Sequence, residues 1–313
     1  VSPAEGGAAR LVDVHAHHLP ERLGAEFTRL SGIRYPLRHP EDQSRRLADL
    51  DEAGVDEQIL GLGAVQPYWP DAAASTEGAR FANDLYAQSC ADEPRLSAFG
   101  ALPLPHVDEA AAEAVRCLDE LGFAGIGLGC SANGIALDDA RFDDVWSALD
   151  ERSAVVYLHP GVQNDLAVGV REYPMLLGPV FGSPAEEAVA ITRLALKGTV
   201  RRFPRIRWIA GAMGGALLLA HDQLFHSLAF AAKTGADQDL DGIRGDLQTF
   251  WYDTSSLDGL LALAAREHGY LDRLLFGSDA PWGSAVAASL ALREHLPEEA
   301  EAVRARSAAV LAG

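Results

Sequence analysis

Cysteine is scarce: Cys90, Cys117 and Cys130 are the only three in 313 residues, and none forms a CxxC pair. That excludes a disulfide framework and a cysteine metal knuckle, and it fits a reducing compartment, so a cytoplasmic protein is expected. Long apolar runs are missing too. No stretch approaches the ~20 residues needed to cross a bilayer, so no membrane partner is expected. The opening "VSPAEGGAAR" has neither the basic flank nor the apolar core of a secretory signal. Positive charge is in short supply. The formal net charge of -19 sets up a field that repels polyanions, which excludes nucleic acid and anionic membranes as partners. A small anionic substrate is still admitted, because a local arginine or a metal ion outweighs the distant field. No GxGxxG follows an early strand, which argues against an open dinucleotide-binding sheet.

What is present is alternation. Hydrophobic residues make up 48% of the chain, enough for a sizeable core. Apolar, β-branched runs read as strands at 11–17, 55–63, 96–104, 123–130, 154–160, 206–213, 250–255 and 271–279. Between them lie helical patterns such as "DEAAAEAVRCLDELG", "DDARFDDVWSALDER" and "SPAEEAVAITRLALKGTVRRFP". Eight strands separated by helices, with no linker or composition break over 1–313, predict one (β/α)8 barrel. Two connections are long, at 18–44 after strand one and 161–184 after strand five. Both follow strands, so both belong at the C-terminal mouth, where such barrels keep their active sites.

The stretch "LVDVHAHHLP" carries His15 and His17 at the end of strand one. Strict alternation would put Leu11, Asp13, His15 and His17 on one face, with Val12, Val14 and Ala16 on the other. His18 would then point elsewhere, as a loop residue. His159 closes "VVYLHP" and Asp279 closes "LLFGSD". These four side chains, from three distant parts of the chain, are predicted to meet at one rim of the barrel. A His3Asp set with an open position suits zinc first and also accommodates manganese, iron or cobalt. Asp13 lies deeper and is expected to support rather than ligate.

At this point the chain resembles the branch of the amidohydrolase superfamily that contains aminocarboxymuconate-semialdehyde decarboxylase. The pieces that carry the resemblance are "DVHAHHLP", "LADLDEAGVDEQIL", "AFGALPL", "GFAGIGLG", "VVYLHPG", "RRFPRIRWIAGAMGGAL", "FWYDTS" and "LLFGSDAPWG", in the family's order from about residue 11 to residue 285. The resemblance implies a barrel holding one divalent metal on His15, His17, His159 and Asp279. It also implies a homodimer that decarboxylates a small unsaturated or aromatic acid, with Asp279 moving the proton. The alternative is hydrolysis of an amide, ester or lactone. The family's carboxylate-binding arginine best matches Arg46 rather than Arg45. Tyr68 and Trp69 resemble an aromatic wall of relatives. Trp282, with Tyr173 or Phe181, is expected to help close the substrate pocket.

Two positions depart from the family. Ala212 stands where relatives carry an acid/base histidine, and Gln223 stands where they carry an arginine that reaches a partner's substrate; Leu218 replaces a nearby proline. Three accounts of Ala212 stay open: an engineered substitution, natural chemistry that needs only the metal and Asp279, or a non-catalytic binding protein. His221 and His226 are the conceivable replacement bases.

Overall fold

The computed structural model describes residues 10–35, 38–40, 42–161, 173, 176–235 and 239–312. Eight strands form where the apolar runs lie: β1 Val12–His17, β2 Glu57–Gly61, β3 Leu96–Gly100, β4 Gly125–Gly129, β5 Val155–His159, β6 Arg207–Ala210, β7 Trp251–Asp253 and β8 Leu274–Leu275. They pair in sequence order as one parallel sheet. The chain beyond β8 closes the ring on β1. Val14 N–H donates to the Phe276 carbonyl (3.0 Å), Asp279 N–H donates to the His15 carbonyl (2.8 Å), and Ala16 bridges Ala280. The (β/α)8 barrel is therefore the observed fold. Several strands are shorter than their apolar runs, because the run ends turn out of the ladder to become the connections at either rim.

The helices cover the outside. α1 (Glu21–Ser31) and α2 (Ser44–Ala53) follow β1, so the first long connection is partly helical. α3 (Ala72–Asp92), α4 (Val107–Val115) and α5 (Asp143–Glu151) follow β2, β3 and β4. α6 (Ser183–Leu196) and α7 (Thr199–Arg202) split the helix expected over 183–204, because Gly198 takes a left-handed conformation (φ 67°). α8 (Leu217–Lys233) and α9 (Leu240–Thr249) follow β6; α10 (Gly259–Glu267), α11 (Ala285–His295) and α12 (Ala300–Ala312) complete the ring. Most of the second long connection, 162–172 and 174–175, lies outside the described residues. No helix among the described residues is long and apolar enough to cross a membrane.

Strict alternation fails in β1, and the failure positions the site. Val12 pairs with Glu57 and Asp13 with Gln58, but Ala16 pairs with Leu60 and His17 with Gly61. One extra residue therefore sits between Asp13 and Ala16, a β-bulge that re-aims side chains. Val12 and Val14 pack inside the barrel with Ile59, Phe99, Tyr157 and Ile209. After the bulge His15 and His17 also face inward, lining with Val14 a gap beneath the barrel mouth. Leu11 instead packs with Leu50 in the layer between sheet and helices. Asp13 is thus not on the histidines' face, contrary to the alternating pattern.

Asp13 stitches this irregular region together. Its Oδ1 accepts from His15 N–H (3.1 Å) and Ser278 N–H (3.0 Å), and its Oδ2 accepts from Gln58 Nε2 and Ser278 Oγ (both 2.6 Å). The carboxyl is wholly buried. Asp13→Ala leaves buried donors on β1, β2 and the β8 extension without an acceptor, at about 1–3 kcal/mol each. We expect a loss of about 3 kcal/mol after relaxation, read as a fall in Tm of roughly 5–10 °C by calorimetry. An unchanged Tm would show that the bulge does not depend on this carboxylate.

Candidate metal centre

His15, His17, His159 and Asp279 converge at the C-terminal end of the strands, each offering one ligand atom within 4.8 Å of the others. His15 Nε2 lies 3.2 Å from His17 Nε2, and Asp279 Oδ1 lies 2.9 Å from His17 Nε2 and 3.3 Å from His15 Nε2. The three rings stand nearly perpendicular in pairs, with centroids 5.0–5.2 Å apart and interplanar angles of 87–90°. Donors about 2.0–2.1 Å from a tetrahedral ion sit about 3.3 Å from one another, so the separations among His15, His17 and Asp279 suit an ion of zinc's size.

Each imidazole is fixed by its other nitrogen. His15 Nδ1 lies 3.1 Å from both Asp253 Oδ2 and Ser255 Oγ. His17 Nδ1 faces the Gly61 carbonyl at 3.3 Å, and His159 Nδ1 faces the Pro160 carbonyl at 2.7 Å. With Nδ1–H donating outward, every Nε2 lone pair points to the shared centre, the arrangement found around ligating histidines. Asp253 was not among the residues expected at the site from sequence, although it lies within "FWYDTS" and ends β7. It also accepts from Tyr157 Oη (2.7 Å), a hydroxyl carried on the strand that ends in His159.

The electrostatics match a cation site. Burial pushes His159 down to about 3, reinforced by His17 and His15, so it rests as a neutral imidazole. Burial works against charge on His15 as well, but Asp253 and Asp279 outweigh it and raise the pKa well above the ordinary range. Burial would raise Asp279, yet His15 and His17 hold it below the usual carboxylate range. Nearby, burial and the charge of Asp253 raise Glu187 well above its ordinary value. A small cation held by these residues would take the place of the proton that His15 otherwise favours.

Asp279 is held at φ 57° and Ala212 at φ 44°, both in the left-handed region. Aspartate tolerates that region by bonding locally, and alanine has no such help. Gly63 also has positive φ (58°), and an added Cβ there would come within 2.2 Å of His17 Cε1, so the β2 loop lies directly on that ring.

The remaining sequence candidates fall in several places. Arg46 is not aimed at the cluster: its Nε donates to Gln43 Oε1 (2.7 Å), one terminal nitrogen to Gln58 Oε1 and the other to the His17 carbonyl (2.7 Å). Arg45 is exposed. His18 faces Gln43 Nε2 at 3.3 Å and packs near Tyr86, outside the cluster. Tyr68 and Trp69 line a mouth cavity of about 710 Å³ beside the centre. Trp69 is buried against Phe27 and donates Nε1–H to Tyr35 Oη (3.0 Å), whereas Tyr68 Oη accepts from Gly129 N–H (3.0 Å). Trp282 is exposed and leans on His39, a mouth residue that sequence alone did not flag. Tyr173 and Phe181 are exposed. Gln223 is exposed on α8 and bonds Ser227 Oγ at 3.4 Å. His226 is exposed on the same helix. His221 stacks on His268 (4.0 Å), near Phe225 and Tyr270, and none of these belongs to the metal cluster.

A family profile described as amidohydrolase matches residues 12–305. The chain belongs to the amidohydrolase family. Among curated relatives, gamma-resorcylate decarboxylase from Rhizobium sp. strain MTP-10005 is 37% identical over 187 residues, 56% of either chain. The aligned stretch thus spans about half the length of that relative. Gamma-resorcylate decarboxylase from Polaromonas sp. strain JS666 is 31% identical over 264 residues, 77% of either chain. The structure is also similar (TM-score 0.80, 26% identity, 97% of this chain and 96% of that one) to dihydroxybenzoic acid decarboxylase from Polaromonas sp. JS666, solved with manganese and the inhibitor 2-nitroresorcinol.

Purified protein is expected to carry about one divalent ion per chain by elemental analysis, and His159→Ala or Asp279→Ala to lose most of it. Affinity should also fall as pH drops from about 8 to 6, because protons compete for His15. Protein that takes up no metal on reconstitution would contradict the ligand assignment.

Proposed function

We propose that the protein is a metal-dependent decarboxylase acting on a small aromatic or unsaturated carboxylic acid. The observation that carries the reading is the set of three outward-anchored imidazoles and one carboxylate beneath a mouth cavity, in a chain whose relatives named above are aromatic-acid decarboxylases. The metal is zinc by donor set, with manganese, iron or cobalt accommodated by the same ligands. When bound, the ion supplies positive charge that anchors and polarises substrate oxygens.

The chain's own residues do the rest. His15, His17 and His159 hold the centre, and Asp279 doubles as the proton carrier. Its side chain is 37% exposed, open enough to exchange a proton with the mouth. Asp279, kept ionised at rest by His15 and His17, relays a solvent proton to the carbon bearing the carboxylate and does not store it. The carbon–carbon bond then breaks, its electron pair stays with the protonated skeleton, and CO2 leaves. Arg46 serves by holding the His17 carbonyl and Gln58, not by gripping the substrate carboxylate. Tyr68 forms one wall, Trp69 backs it, and Trp282 flanks the entrance over His39. A hydrolase remains the alternative by chemistry, but neither relative named above supports it.

The further proposals concern location and assembly. A cytoplasmic setting is supported by three unpaired cysteines. A homodimer is supported by the family resemblance and by exposed apolar side chains on α8 and α10, among them Leu219, Phe230, Leu260 and Leu263. Gln223 would reach a partner's site only in such a dimer. Light scattering at micromolar concentration is expected to give twice the chain mass; a monomer would count against this assembly.

Ala212 provides the sharpest test of the chemistry. It follows the β5–β6 register pair Leu158–Ala210, at the rim that carries His159. Its left-handed backbone favours histidine or asparagine over alanine. CO2 release from 2,6-dihydroxybenzoate by metal-loaded protein should rise about 10²- to 10⁴-fold in Ala212→His, with metal content unchanged. No gain over robust activity in the present chain would show that Asp279 suffices. No turnover by either form, neither CO2 release from acids nor hydrolysis of amides and lactones, favours the binding-protein reading.

A further inference from the structure

Gln66 leaves one polar atom unmatched beside the metal cluster. Its Nε2 donates to the Gly63 carbonyl (3.0 Å), which fixes which end of the amide is oxygen. Gly63 is the residue that lies on the His17 ring. The other end, Oε1, is buried and accepts no hydrogen bond. An amide oxygen out of water and without a donor is costly, and native proteins rarely leave one so.

The position of this amide says what kind of group would satisfy it. Gln66 is common to two spaces: the gap of about 10 Å³ lined by His15, His17 and His159, and the mouth cavity of about 710 Å³ lined by Tyr68 and Trp69. Gln66 Cγ lies 3.7 Å from where a Cβ on Gly129 would sit, and Gly129 pairs with His159. The amide therefore borders the path a ligand takes to the cluster. Its oxygen can only accept, so it favours a ligand group that donates and disfavours a carboxylate, an ether or a bare ring edge.

We propose that Gln66 determines specificity by accepting a hydrogen bond from a hydroxyl group on the substrate ring. This rests on the reading of the centre as a site for aromatic acids and adds which substituent those acids carry. A ligand lacking the hydroxyl leaves Oε1 buried and unpaired, and sites built around such a bond discriminate strongly against the analogue that lacks it.

The test uses metal-loaded full-length protein and two probes that differ by one hydroxyl, 2-nitroresorcinol and 2-nitrophenol, titrated by calorimetry. The unsubstituted protein should bind 2-nitroresorcinol more tightly by about 10- to 100-fold. Gln66→Leu should erase most of that preference while leaving 2-nitrophenol affinity within about threefold. Gln66→Met, of similar length and with only a weakly accepting thioether, should behave alike and serves if the leucine variant folds poorly. Metal content, read in parallel, reports whether Gly63 still seats His17. Equal losses on both probes, or no preference in the unsubstituted protein, overturns the assignment. CO2 release from 2,6-dihydroxybenzoate is measured separately. Protein that distinguishes the probes but releases no CO2, either as it stands or as Ala212→His, overturns the decarboxylase reading and leaves Gln66 as a hydroxyl-reading residue.

Discussion

The site depends on a single extra residue in β1, inserted between Asp13 and Ala16 and held by the Asp13 carboxylate. A regular strand would place every second side chain inward, and with Val12 and Val14 in the barrel core the histidines would face the helices. The bulge shifts that phase, so Val14 fills the core and His15 and His17 reach the mouth. Asp13 is bound on three sides, by Gln58 of β2 and by Ser278 beyond β8 as well as by the bulge itself. Arg46 of α2 then ties Gln58 to the His17 carbonyl. The barrel seam, the bulge and the first two ligands are one hydrogen-bonded unit.

The rest of the centre follows from tethered imidazoles. A free histidine ring turns about two bonds, and three such rings rarely present their lone pairs to one point. Here Asp253, Ser255 and the carbonyls of Gly61 and Pro160 occupy the outer nitrogens, so the inner ones converge. Charge is arranged in the same sense. Asp253 and Asp279 favour a cation at His15, while His159 stays neutral. Ala212 is the place where this order is incomplete. Its left-handed backbone is kept in a turn with Gly214 and Gly215, both also at positive φ, and the alanine brings no side-chain bond to offset the strain.

Much of this was legible in the chain before folding. The eight apolar runs marked the strands because a parallel sheet covered by helices needs apolar side chains on both faces. His159 and Asp279 could be placed because each ends such a run, and strand ends in this fold share one rim. The bulge could not be read. It depends on the pairing of β1 with β2 and on a carboxylate met from β8, neither of which leaves a local pattern. Arg46 looked available for a substrate carboxylate for a related reason: its partners Gln43, Gln58 and the His17 carbonyl come together only after the barrel closes. Asp253 was visible in "FWYDTS" but gave no sign that it would meet His15, 238 residues away.

X-ray absorption at the metal edge of the zinc-reconstituted protein tests the convergence most directly. Three imidazole nitrogens at about 2.0–2.1 Å, together with one carboxylate oxygen and no sulfur, are the expected inner ligands. A spectrum fitted by fewer than three imidazoles, or one unchanged in Asp253→Ala, would contradict the account in which tethered outer nitrogens bring the three lone pairs to one point.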